Sequence, residues 1–408
     1  MTTKNNVAPP PSPASAPTAS TGLDTLAITL VIIAGVVSAL HVGKAPIAVP
    51  QMQQEFNRSL AGLSWVMSVF PIVGMIGGLI AGILVQRQGD RSMLILGLVI
   101  LGAASMAAVA LPSCGWLITT RVVEGLGFLL IVVAAPAVLN RLTPPERRLI
   151  VFGIWSCFMG AGISLSMLLG PVLGDWHVLW IVDGALALLI AFGVALKVRP
   201  AASNKNQALS MPTSKEIWSV AGSPAPLFLA LAFGAYNLQF FAFMSFLPSF
   251  LMEHAHLTLP QAGIAAAITV AANMFGNLLA GWSLQRGARP AVLLAFTFAI
   301  NGVLGSLIYL APLSAWALIA LCVIFSAIAG IIPGTCIATA PRIAPKPALA
   351  ALSLGVLMQG NYLGQVVGPV MLGALMASWG WAAAGGQIAV AAVFGVALAV
   401  GFQKARRA

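Results

Sequence analysis

Gly82-Ile83-Leu84-Val85-Gln86-Arg87-Gln88-Gly89-Asp90-Arg91 closes one long apolar run, turns, and opens the next. A shortened copy, Gly281-Trp282-Ser283-Leu284-Gln285-Arg286, stands between two later runs. Pro50 is echoed by Pro248, Arg141-x-x-Pro144 by Arg342-x-x-Pro345, and Gly170-Pro171 by Gly368-Pro369. Each pair lies about 200 residues apart, as the two copies of a parallel internal repeat would. A Trp pair follows each Gly-Pro, Trp176/Trp180 in one half and Trp379/Trp381 in the other. Gly and Pro are common in apolar helices, so a single match carries little. Four matches at one separation, each at the same place in its half, mark a duplicated unit.

The runs around these turns are long enough to cross a bilayer. The chain has 408 residues, 60% of them hydrophobic and 7% charged, whereas a soluble domain is about one quarter charged. About 20 apolar residues span the hydrocarbon as a helix. Such runs lie at 26–50, 62–85, 92–111, 116–139, 150–174, 178–196, 226–250, 261–284, 291–311, 314–338, 350–377 and 381–402. The expected fold is an all-α membrane protein of twelve transmembrane helices in two pseudo-symmetric six-helix bundles, residues 24–196 and 226–403. A Pro-, Ala-, Ser- and Thr-rich stretch, 1–23, has too little apolar surface to bury and reads as a disordered cytoplasmic tail. A polar cytoplasmic linker, 197–225, joins the bundles, and 404–408 form a short cytoplasmic tail. The proline-rich tail and the span-length first run make that run a retained helix and not a cleaved signal.

Loop charge sets the orientation. With the N-terminus in the cytoplasm, seventeen of the 20 Lys and Arg fall on the inner side, Arg58 alone on the outer side, and Lys44 and Arg121 inside spans. The chain reads as a multi-pass protein of a bacterial inner membrane with both termini cytoplasmic. The net charge of +11 does not indicate nucleic-acid binding, because the basic residues sit in short turns and form no continuous face. Cys114, Cys157, Cys322 and Cys336 lack metal-ligand spacing, and no Gly-rich nucleotide loop or Walker lysine follows a strand. No cofactor, metal or catalytic residue is expected.

The turn at Gly82 resembles the loop between the second and third helices of the major facilitator superfamily, G-x-L-A-D-R-x-G-R-R. The match covers Gly82, Leu84, Arg87, Gly89 and Arg91. Gln86 stands where the family has Asp, and Asp90 where it has a basic residue. The resemblance implies that Gln86, Arg87, Arg91, Gln285 and Arg286 form gating loops, with the family's acidic latch missing. Arg121-x-x-Glu124-Gly125-x-Gly127 is similar to the family's fourth-helix R-x-x-x-G signature. Gly170-Pro171-x-x-Gly174 is similar to part of the fifth-helix signature associated with exporters, although Ser166 and Asp175 replace two of its glycines. The resemblance covers 24–404. Gly43-Lys44-Ala45-Pro46 and the fourth-helix Arg-x-x-Glu-Gly look most like the cyanate and nitroimidazole transporter branch. It implies alternating access about a site between the halves, lined by the first, fourth, seventh and tenth helices.

Polar groups gather on these helices. A charge near the bilayer centre costs roughly 2.5–3.5 kcal/mol on insertion scales, so such residues usually face a cavity and act there. Lys44 is the sole charge of the first span, and His41 shares its face at i, i+3. Since only Ala45–Val49 separate Lys44 from Pro50, snorkelling to the outer headgroups is the competing reading. Arg121 and Glu124, again i, i+3, are either a structural ion pair or a coupling pair. Glu124 is the carboxylate deepest in a span, whereas Asp183 reads as an acidic residue suited to a helix N-terminus. In the second half Tyr236, Gln239 (the repeat counterpart of His41) and Asn361 are candidates, as are the face-sharing pairs Asn273/Asn277 and Asn361/Gln365. Interhelical hydrogen bonding is the competing reading for each. The expected substrate contacts are thus His41, Lys44, Arg121, Tyr236, Gln239 and Asn361, with His41 and Glu124 coupling protons.

Lys44, Arg121 and Glu124 together leave one positive charge, which suits a small anion or a neutral polar molecule and disfavours a cation. Bringing an anion into an inside-negative cell costs about 2.3 kcal/mol per charge per 100 mV, so uptake needs a coupled cation. The leading expectation is a secondary active transporter taking up a small anion with protons. The alternative is proton-antiport export of a small polar or aromatic compound. A membrane sensor would add an output domain, and an intramembrane enzyme a metal cluster or nucleophile–base pair. The expected partners are a small-molecule substrate, protons and the lipid bilayer, with the protein a monomer. Cysteine-accessibility labelling of intact cells should label a cysteine at position 256 and leave 197–225 shielded from outside reagents. Outside labelling of that linker would reverse the orientation.

Overall fold

A computed structural model describes residues 24–200, 213–346 and 349–406. The tail expected over 1–23, the linker residues 201–212 and the last two residues lie outside the described residues. Among those described, every regular element is helical, because only helices or closed barrels satisfy a backbone in lipid. In the first half α1 (Thr25–Phe56), α2 (Leu60–Gln88), α3 (Asp90–Ala108) and α4 (Cys114–Leu142) run back and forth. The next crossing is a pair, α5 (Arg148–Ser156) and α6 (Phe158–Leu173), bent by 41° at Cys157. It is followed by α7 (Trp176–Lys197) and a short linker helix, α8 (Ser214–Ala221). The second half comprises α9 (Pro224–His254), α10 (Leu259–Gln285), α11 (Pro290–Leu310), α12 (Ala315–Ala329) with α13 (Ile331–Thr339), α14 (Ala350–Trp379) and α15 (Ala382–Ala405). Eleven spans are long and apolar enough to cross a membrane, and the bent pair makes twelve.

Two boundaries differ from the sequence reading in a way that matters for the site. The first span does not stop at Pro50: α1 continues through Pro46 and Pro50 to Phe56, as α9 continues through Pro248 to His254. Proline is tolerated in a membrane helix because packed neighbours re-satisfy the freed carbonyls. Lys44 therefore lies about 18 Å from the end of α1 at 1.5 Å per residue, out of snorkelling range. The helix stops at Asn57, whose left-handed φ of 48° turns the chain.

The turns after α2, α4, α7, α10 and α13 share a face with both ends of the described chain. This basic face carries every described Lys and Arg except Lys44, Arg58 and Arg121. Close helix packing rests on small residues, since lipid tails leave little hydrophobic drive between helices. A Cβ on Gly360, Gly364 or Gly368 of α14 would lie 1.9, 2.2 and 2.7 Å from backbone oxygens of α9, at Ala230, Gly234 and Leu238. Between the halves the fit is graded. A Cβ on Gly74 of α2 would lie 2.6 Å from the Tyr362 ring of α14, one on Gly78 4.0 Å from Gln359, and one on Gly82 meets nothing within 4 Å. The seam of α5 and α6 with α10 behaves alike: a Cβ on Gly160 would lie 2.7 Å from Met274, while one on Gly153 or Gly281, nearer the basic face, meets nothing within 4 Å. At the opposite face a Cβ on Gly373 would lie 3.0 Å from Ala61, and one on Gly263 2.6 Å from the Met167 carbonyl. The halves therefore meet near the face opposite the basic one and part toward the basic one.

This gradient predicts contrasting effects of adding a methyl group. Gly360→Ala should lower the Tm of the purified protein and its monodisperse yield, because Ala230 is backbone and cannot give way. Gly82→Ala, in open space within α2, should leave the Tm unchanged or raise it, with a gain in stability of up to about 1 kcal/mol.

Candidate functional site

His41, Lys44, Arg121 and Glu124 form one cluster inside the first bundle, each at most 1% exposed. Glu124 is its centre. One carboxylate oxygen accepts from Lys44 Nζ at 2.9 Å, and the other accepts from Arg121 Nη1. Lys44 Nζ also donates to Ser105 Oγ of α3 at 2.6 Å and to His41 Nδ1 at 2.9 Å. Its three ammonium protons are thereby placed. Ser105 Oγ in turn donates to the Trp180 carbonyl of α7 at 2.7 Å, and the Trp180 ring lies 4.5 Å from Lys44 Nζ. Arg121 donates from Nε to the Val66 carbonyl of α2 at 3.0 Å and from Nη1 to the His41 carbonyl of α1 at 2.7 Å. Its guanidinium sits over the Phe70 ring, 4.4 Å from the centroid. Charges removed from water persist only when paired and hydrogen-bonded, and here both conditions hold.

Lys44 thus points into its own bundle, toward α3, α4 and α7, and not into the space between the halves. The three residues expected from this half to touch solute are packed against one another in this conformation. Asp183 corrects the sequence reading. Asp175, not Asp183, caps α7, accepting from the His177 amide at 2.8 Å. That bond, reinforced by the His177 ring, holds the Asp175 carboxyl below its usual range. Asp183 is two turns further in, 3% exposed, and interacts electrostatically with Lys44, Arg121 and Glu124. Ionised, it would bring the cluster's formal charge from +1 to balance, and protonated it leaves that charge at +1. Its legible signal was the i, i+3 spacing to Trp180 inside an apolar run, whereas nothing in the sequence singled out Ser105.

The second bundle answers with neutral groups. Tyr236 is 4% exposed and stacks between Phe233 and Phe240, with Asn273 Nδ2 donating to its hydroxyl at 3.3 Å. Asn273 also donates to the Ser326 carbonyl at 3.0 Å, and Asn277 donates to the Asn273 side-chain oxygen at 3.2 Å. Gln239 donates to the Ile388 carbonyl of α15 at 2.8 Å and so faces its own bundle, as Lys44 does. Asn361 is half-buried and accepts from Gln365 at 3.0 Å.

The gating residues are apart. Gln86, Arg87, Gln285 and Arg286 are exposed, Arg286 resting over Trp282 at 4.0 Å. Asp90 is held within its half by Arg141, at 2.9 and 3.1 Å, and Arg91 donates to the Ala195 carbonyl at 2.6 Å. At the other face the repeat is visible in atoms. The Trp176 indole N–H donates to Glu55 at 2.6 Å, and that of Trp381 donates to Glu253 at 2.8 Å.

A family model described as Major Facilitator Superfamily matches residues 31–354. The hexuronate transporter of Bacillus subtilis (strain 168) is 24% identical over 287 residues, 65% of this chain and 66% of that protein. The 4-hydroxybenzoate transporter of Pseudomonas putida is 26% identical over 309 residues, 65% and 68% of the two chains. The methylenomycin A resistance protein of Bacillus subtilis (strain 168) is 27% identical over 196 residues, 46% and 42%. The chain spans less than half the length of the resistance proteins it matches. A bacterial homologue of the human lysosomal transporter Spinster shares the fold, with a TM-score of 0.83 over 95% of this chain and 98% of that one at 17% identity.

Breaking a buried pair while leaving the other charge costs about 3–5 kcal/mol, whereas replacing both partners is far milder. Lys44→Met and Glu124→Gln should therefore each lower the denaturation midpoint. A double-mutant cycle should show the combined variant losing less than the sum of the two.

Proposed function

The chain belongs to the major facilitator superfamily, and from that membership we propose that it takes up a small anion together with protons. As a member of that family it is a membrane transporter of small solutes and not an enzyme. The observation that carries the finer reading is the sealed cluster around Glu124. Two cations and two carboxylates balance in the dry interior of one bundle, where net charge is costly. One added proton leaves a single positive charge, which an arriving monoanion compensates. Proton and anion entering together avoid the penalty that either alone would incur. In this reading His41 and Glu124 belong to the cluster whose charge responds to the coupling proton, and Lys44 and Arg121 act through that same charge.

The solute side in this reading is the space between the halves, with Asn277, Asn361, Tyr362 and Gln365, all half-buried, as its candidate neutral donors. The relatives matched over the larger share of the chain are named for hexuronate and 4-hydroxybenzoate, both carboxylates. The positive-inside rule supports reading the basic face as cytoplasmic, in keeping with a bacterial inner-membrane protein whose termini lie on that side. The parted helix ends then open to the cytoplasm. Export by antiport is the second reading, favoured by the resistance proteins among the relatives.

Proteoliposomes enclosing a pH-sensitive dye separate the two. Added 4-hydroxybenzoate or glucuronate should acidify the lumen beyond protein-free liposomes, and a protonophore should abolish accumulation. Uptake indifferent to external pH and protonophore would sink proton coupling. Luminal pH driven instead by methyl viologen would favour the antiporter.

A further inference from the structure

Within that proton-coupled cluster, we propose that Asp183 is the carboxylate that binds the coupling proton and that Glu124 is a fixed counter-ion. The proposal rests on the coupling reading and assigns its proton to a particular oxygen.

The hydrogen bonds exclude the other acceptors. Both oxygens of Glu124 are taken by cations, Lys44 at 2.9 Å on one and Arg121 on the other. A proton there would have to displace an ammonium or a guanidinium from a site at most 1% exposed. His41 is held in one tautomer. Its Nδ1 accepts from Lys44, so its ring proton sits on Nε2, which has no hydrogen-bond partner among the described residues. A second proton on His41 would have to enter at Nδ1 and break the Lys44 bond.

Asp183 is differently placed. Its Oδ2 is buried and has no hydrogen-bond partner among the described residues. None of the ion pairs within 4.0 Å among the described residues involves it, although Lys44, Glu124 and Arg121 all act on it electrostatically. It is thus within the field of the cluster and outside its hydrogen bonds. A proton added to Oδ2 breaks no existing contact and changes the cluster's balance by one unit, which is what coupling to a monoanion requires.

The groups facing Asp183 are few. From α1 come His41 and Lys44, and from α4 Arg121 and Glu124. α3 supplies Ser105 at this depth, its Asp90 and Arg91 lying about 20 Å away along the helix. α6 carries no ionisable side chain. On α7 itself, His177 lies two turns back, bound to Asp175 at 2.8 Å and near Glu55 at 3.4 Å. Lys197 is at the basic end.

Infrared difference spectroscopy between high and low pH tests the assignment without any solute. The wild type should show the C=O stretch of a protonated carboxyl, Asp183→Asn should lose that band, and Glu124→Gln should retain it. Asp183→Glu should restore a band at shifted frequency. A band kept in Asp183→Asn and lost in Glu124→Gln overturns the proposal, as does a wild type without such a band. Proteoliposomes separate this failure from that of the coupling reading. Asp183→Asn that retains its Tm and 4-hydroxybenzoate exchange should lose solute-driven proton influx. If it keeps that influx at the wild-type level, coupling stands and the assignment to Asp183 falls. If the wild type shows no influx, the coupling reading falls, and this assignment with it.

Discussion

Glu124 holds two cations where none of the three charges can be left alone. In water an ion pair of this kind would be worth little, but in a membrane interior an unpaired charge is costly enough to dictate how helices pack. Lys44 brings α1 to Glu124, and Arg121 carries the same carboxylate's influence on to the carbonyls of His41 and Val66. Through Ser105 and the Trp180 carbonyl the network reaches α3 and α7. Five helices of one bundle therefore meet at a single carboxylate. A cluster so connected ties those five helices to one another.

The second bundle copies the architecture without the charge. Both halves tie a tryptophan at the start of their last helix, Trp176 within α7 and Trp381 just before α15, to a glutamate near the end of their first, Glu55 and Glu253. Where the first half has His41, the second has Gln239, hydrogen-bonded into its own bundle. Amides and a tyrosine replace ions in the second half. These neutral groups keep their charge whatever the pH, in contrast to the ions of the first half.

Backbone contact decides how the halves can move. Within a bundle, glycines of α14 lie so close to α9 carbonyls that no side chain fits, so these helices travel together. Between bundles the same residue type loosens along the seam, from Gly74 against Tyr362 to Gly82 in open space. Rigid packing inside and graded packing between are what rocking of one body on another demands.

The number of spans, the repeat and the one-sided basic charge were legible in the sequence, because apolar run length and loop charge are local properties that lipid enforces residue by residue. The i, i+3 pairs His41/Lys44 and Arg121/Glu124 were legible for the same reason, since helical spacing puts them on one face. Which way those faces turn was not. Lys44 could face a cavity or reach the headgroups until α1 was seen to pass through Pro50, and its partner Ser105 comes from a helix whose rotation no local pattern encodes. Asp183 looked like a helix-end residue until Asp175 was found capping α7. Membership of a buried cluster depends on how several helices rotate against one another, and that rotation is set jointly by close glycine contacts and by the need to pair every buried charge, so only the tertiary structure decided it.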